Sequence, residues 1–132
     1  MIGLDTNILV RLLVADDPAQ TARVKRFVDR HCTRETPGFI NCVVLAELVW
    51  VLGSVYRYSR SEIADAIEDL LIGEDRVVEQ HDAVRRSLTD FRSGRADFVD
   101  AVIVRINRTL GCEVTATLDR KAAMLDGAVP VP

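Results

Sequence analysis

Asp5, Glu47, Asp97, Asp100 and Asp119 are the side chains whose settings in this sequence suit chemistry better than solubility. Asp5 follows the apolar Ile2-Gly3-Leu4, and Asp119 follows Thr115-Ala116-Thr117-Leu118, so each is expected at the end of a short strand. Glu47 is the only charged residue between Asn41 and Arg57. An ionised carboxylate buried in so apolar a stretch needs a partner, which Arg57 or another arginine could supply if the role is structural. Asp97 and Asp100 are three apart at the expected start of a helix, a spacing that puts them on one face. Simpler roles exist for the others: Asp5 could cap the helix after it, and the Asp97–Asp100 pair could answer a helix dipole. Together the five acids make an oxygen-rich set suited to a hard divalent cation, Mg2+ or Mn2+. Such a cation activates water and offsets charge on phosphate oxygens, so phosphodiester hydrolysis is the leading reaction class. His31 and His81, the only histidines, lack metal-ligand spacing.

The elements that must position these acids alternate in type. Ile2–Leu4 reads as a very short strand, followed at once by the cap formers Thr6 and Asn7 and a helix. Asp16-Asp17-Pro18 opens a second helix that runs to about His31, and Phe39-Ile40 makes a second strand. The run from Val43 to Leu52 is expected to be a helix that is apolar nearly all round and hence largely buried. A helix capped by Ser61 and ended by Gly73 follows, then a strand at Val77-Val78. Helices from about Asp82 to Arg92 and from Ala96 to Leu110 come next, then a strand at Val114–Thr117, a helical turn at Arg120–Leu125 and a last strand at Val129. Short strands alternating with helices predict an α/β domain with a mostly parallel sheet covered on both faces. In such sheets sites form at the carboxyl ends of strands, where Asp5 and Asp119 are expected.

Length and composition narrow the class. The 132 residues are read as one domain, 1-132, with 48% hydrophobic and 28% charged residues, enough apolar matter for a core. The net charge of −3 argues against a protein that coats nucleic acid by charge alone, yet with the five acids set aside the remainder is net basic. That basic charge is carried by 15 Arg and 2 Lys, and arginine offers phosphate a planar fork. Cys32, Cys42 and Cys112 show no C-x-x-C spacing, which points to a reducing cytoplasm. The opening residues lack the leader of a signal peptide, and no apolar run is long enough to span a membrane.

The sequence resembles PIN-domain ribonucleases, specifically the VapC-type toxins of type II toxin–antitoxin pairs. The matches are Ile2-Gly3-Leu4-Asp5-Thr6-Asn7, Ala46-Glu47-Leu48, Asp97-Phe98-Val99-Asp100-Ala101-Val102-Ile103 and Thr115-Ala116-Thr117-Leu118-Asp119, in order over nearly the whole chain. The resemblance implies a three-layer α/β/α fold with a short-stranded, mostly parallel central sheet flanked by helices. It also implies that Asp5, Glu47, Asp100 and Asp119 form an acidic quartet around Mg2+ or Mn2+, with Asp97 an additional member of the metal shell and Thr6, Asn7 and Thr117 orienting the acids or their waters. The metal would be held by Asp5, Asp97, Asp100 and Asp119, and Glu47 would orient the attacking water. Arg92, Arg95, Arg105, Arg108 and Arg120 lie near the acids in sequence and are candidates for gripping RNA phosphates. Small residues follow the third acid in many relatives, whereas here Val104-Arg105-Ile106-Asn107 intervenes. A homodimer, a higher toxin–antitoxin assembly and a VapB-like antitoxin across the active-site groove are the partners implied.

Two other classes fit less well. An aspartyl-phosphate phosphatase or receiver would use Asp5 as nucleophile, but Asn7 stands where D-x-D-x-T requires Asp, and receivers want an adjacent acidic pair. A non-catalytic PIN-like module that binds RNA or protein would be favoured by loss of an acid, and all five are present.

Overall fold

The computed structural model describes residues 1–132, which divide into two compact units, Met1–Glu79 and Gln80–Pro132. The first unit runs β1 (Ile2–Gly3), α1 (Thr6–Leu13), α2 (Pro18–His31), β2 (Gly38–Ile40), α3 (Cys42–Ser54), α4 (Arg60–Ile72) and β3 (Arg76–Val78). Its helix starts are set by short polar side chains that satisfy orphan N–H groups. Asp5 accepts from Thr6 N, Asp17 from Gln20 N with Pro18 in the first turn, and Asn41 from Val44 N. For α4 the cap is Ser59 rather than the expected Ser61: Ser59 and Glu62 bond each other's backbone in a capping box, so Ser61 lies inside the helix.

The strands of this unit pair in the order β1-β2-β3, all parallel, with Ile2 opposite Gly38 and Gly38 opposite Arg76. Parallel neighbours need a crossover, and each link here supplies two helices. Gly38 is required by close approach, because a Cβ at this position would meet Leu4 Cδ1 at 2.7 Å. Leu9, Ile40, Leu45, Leu48, Leu52, Ile67 and Val78 are buried in this unit. Although α3 is apolar in composition, it is not buried all round as expected. Leu45, Leu48 and Leu52 face inward, while Val43, 76% exposed, and Trp50, 64% exposed, lie on the opposite side with Glu47. Cys42, at the start of α3, donates from its N–H to Glu79 Oε1 at 2.9 Å and from its thiol to the Glu79 carbonyl at 3.4 Å. Burial, then the Glu79 charge, push that thiol up to about 11, and burial also raises the Cys32 thiol.

The second unit runs α5 (His81–Arg92), α6 (Phe98–Thr109), β4 (Thr115–Thr117), a 3-10 turn (Ala122–Met124) and β5 (Ala128–Pro130). Helices α5 and α6 pack together, and Phe91 meets Phe98 edge-on with ring centroids 6.0 Å apart. Asp90, on the buried side of α5, accepts from Arg105 Nη2 of α6 at 2.9 Å. Its backbone carbonyl accepts from Ser93 Oγ and Arg95 N, so one residue fastens both the helix pair and the turn that joins them. Ala96, Ala101, Val104 and Leu125 form a small cluster against which Ala128 packs.

The fold is therefore α/β with six α-helices and short parallel strands. The strands do not hydrogen-bond into one central sheet: β4 and β5 pair with each other, also in parallel, as a two-stranded sheet of their own. No helix is long and apolar enough to cross a membrane.

Leu48 and Ser59 test the two devices that shape the first unit. Leu48→Ala, at a fully buried site, should lower the unfolding free energy by about 2–5 kcal/mol. Loss of the capping box in Ser59→Ala should lower it by about 1 kcal/mol, both read from urea denaturation.

Candidate active site

In the first unit, Asp5 stands between β1 and α1 and doubles as the helix cap, with Oδ1 held by Thr6 N at 2.7 Å. The capping role and an exposed position at a strand end therefore coexist in one residue. Thr6 is buried, and Asn7 is exposed on the first turn of α1. Glu47 is also exposed and has no hydrogen bond or ion pair, which corrects the expectation of a buried carboxylate and leaves the structural alternative, pairing with Arg57 or another arginine, without support. The reason is helical phase: Glu47 lies on the face of α3 away from its leucines, so its apolar neighbours in sequence do not enclose it.

In the second unit, Asp97 is the N-cap residue of α6 but does not bond that helix through its side chain. Asp100 follows in the first turn, half-buried. Asp119 lies just beyond β4, where Oδ1 accepts from Ala122 N at 2.7 Å and its own N–H donates to Thr117 Oγ1 at 3.0 Å. Thr117 thus positions the backbone of the acid two residues on. Burial, then the Asp119 and Asp97 charges, hold the Asp100 carboxyl above the usual carboxylate range. The two charges acting most strongly on Asp100 are both negative, and this unit brings together three of the five expected acids.

The five arginines singled out in the sequence take different positions. Arg105 is pinned to Asp90, Arg95 lies 3.9 Å from the same carboxylate, and Arg108 pairs with Asp126 at 3.1 Å. Arg92 and Arg120 are exposed. Asp90 itself escaped notice in the sequence, although its place among Val84, Ser87, Leu88 and Phe91 on one side of α5 was a usable signal. Arg86, exposed on α5, was missed because its sequence neighbours are not acids of the set.

The family model described as PIN domain matches residues 2–128. The chain belongs to the PIN-domain family. Neither curated proteins nor solved structures yield a match to it. PIN domains are a nuclease-type fold, generally metal-dependent ribonucleases that use Mg2+ or Mn2+. In this PIN domain no group of three or more His, Cys, Asp or Glu side chains is drawn tightly enough to hold a metal ion outright. The donor set nonetheless fits such an ion in kind. It offers oxygen alone, and the mutual repulsion around Asp100 is what a divalent cation would relieve.

The sign of that repulsion gives a measurable pH dependence. Because the folded-state pKa of Asp100 is raised, its ionisation weighs against the folded state as pH climbs through that pKa, and the penalty is absent below the unfolded value of about 3.9. In EDTA, Asp100→Asn should therefore raise Tm at pH 7 and leave it unchanged near pH 3 in thermal melts. Added Mg2+ should raise the Tm of the unsubstituted protein more than that of Asp100→Asn.

Proposed function

We propose that this PIN domain is a Mg2+- or Mn2+-dependent endoribonuclease and acts as the toxin of a VapBC-type pair, held in check by a VapB-like antitoxin. The observation that carries the hydrolytic part is the half-buried Asp100 under the charges of Asp119 and Asp97, in a chain of the PIN family that retains every acid of the motif. Asp5, Asp97, Asp100 and Asp119 are the residues that would hold the cation. When bound, it would lower the pKa of a water and offset charge on the phosphate oxygens.

The chain's own groups divide the remaining work. Thr6 N fixes one oxygen of Asp5, and Ala122 N fixes one oxygen of Asp119, so both carboxylates are oriented before anything binds. Glu47, exposed and without a partner, is available to orient the attacking water and accept its proton. Attack on phosphorus then breaks the bond to the 3′ oxygen, leaving a 3′-hydroxyl and a 5′-phosphate. The toxin assignment, the homodimer and the higher assembly rest on the resemblance carried by the four ordered motifs.

The test is cleavage of total RNA and tRNA pools by antitoxin-free protein, with Mg2+, with Mn2+ and with EDTA. Cleavage should require the metal, and Glu47→Gln should slow it by about 10²–10⁴-fold with circular dichroism unchanged. Asp5→Asn should abolish both cleavage and growth arrest on induction; full activity in either variant would remove that acid from the site. A small adjacent gene whose product restores growth would support the toxin role.

A further inference from the structure

A cleft of about 530 Å³ opens on the second unit at the start of α5 and the end of α6. Its walls include His81, Asp82 and Arg86 from α5 and Arg105, Arg108 and Thr109 from α6. Three arginines thus line a space whose only lining carboxylate, Asp82, lies 3.8 Å from the His81 ring. Arg105 is held in place by the buried Asp90, yet that hydrogen bond uses one of its five N–H donors. Arg108 pairs with the exposed Asp126, a contact that competes weakly with a better anion. Arg86 is exposed and has no hydrogen bond or ion pair.

We infer that this cleft binds a backbone phosphate of the RNA strand, a few nucleotides from the bond that is cut, an inference that rests on the ribonuclease reading above. Planar forks from several arginines match phosphate oxygens, and the volume is that of a small-ligand site. Helix α6 carries both ends of the arrangement, with Asp100 in its first turn and Arg105 and Arg108 toward its last. At 1.5 Å per residue, Asp100 and Arg108 are roughly 12 Å apart along the axis, a span that a polymer can bridge and a mononucleotide cannot. The arginines then grip the strand independently of its bases, and the acids act on another phosphate.

Arg86→Ala, Arg108→Ala and the double variant test this, with folding checked by circular dichroism and Arg105 left in place because it partners a buried charge. Affinity for a fluorescein-labelled single-stranded RNA is read by anisotropy over a salt series in EDTA, so that no strand is cut. Each single change should weaken binding about tenfold and lower the slope of log K against log salt by about 0.7, while Arg86→Lys keeps most of both. Unchanged affinity and slope, or no RNA binding by the unsubstituted protein, would overturn the inference. A cleft that serves free anions would be shown by loss of inorganic phosphate or AMP binding in the variants with RNA binding intact, which also overturns it. Arginine-dependent RNA binding by a protein that never cleaves would keep the cleft and sink the nuclease instead.

Discussion

Three carboxylates within electrostatic reach of one another, one of them half-buried, oppose folding unless the surrounding chain holds them in place. The second unit does so with apolar packing on one side and backbone donors on the other. Phe98, Ala101, Val102 and Val104 bury the inner side of α6, which fixes where Asp97 and Asp100 emerge. The 3-10 turn offers Ala122 N to Asp119, and the start of α6 places the positive end of a helix dipole beside Asp100. The strain of assembling like charges is thereby borne by a core that owes nothing to them.

Asp90 is the counterpart of that arrangement. Its side chain is 7% exposed and bonded to Arg105, so removing that arginine would leave a poorly solvated charge. Because the carbonyl of the same residue also receives Ser93 and Arg95, the angle at which the chain leaves α5 and enters Asp97 depends on this one position. Stability and site geometry are coupled there through a residue that belongs to neither motif nor cleft. In the first unit the coupling is more local: Asp5 caps α1 through Oδ1, which leaves its second oxygen for the role proposed above.

Much of the element order could be read from single residues with strong local preferences. Asp17-Pro18 and Gly73 mark helix ends, and the structure places boundaries there: Asp17 caps α2 with its side chain, and Gly73 ends α4 where a Cβ would meet the Arg76 side chain. Ser59 and Ser61 are both good caps, and the choice falls to Ser59 because Glu62 stands three residues after it. Long-range choices were harder to see. The division of five strands into two sheets is a matter of which edges meet, and period-2 patterns of two or three residues carry no information on that. Glu47 illustrates the same limit, since the apolar composition of α3 says how much could be buried but not which face is covered. Asp90 and Arg86 were hidden for the converse reason: both sit in a polar-looking stretch, and only the packing of α5 on α6 separates the enclosed acid from the exposed base.

The three thiols end in unequal circumstances. Cys32 is buried with its proton held more tightly than usual, and Cys42 is tied to Glu79 and retains its proton until about pH 11. Thiols so protonated are poor nucleophiles and poor targets for oxidants. Cys112, just after α6, is exposed to solvent. Electrophilic dyes and spin labels applied near neutral pH would accordingly find a single handle, one that reports on the end of the arginine-bearing helix without touching an acid of the site.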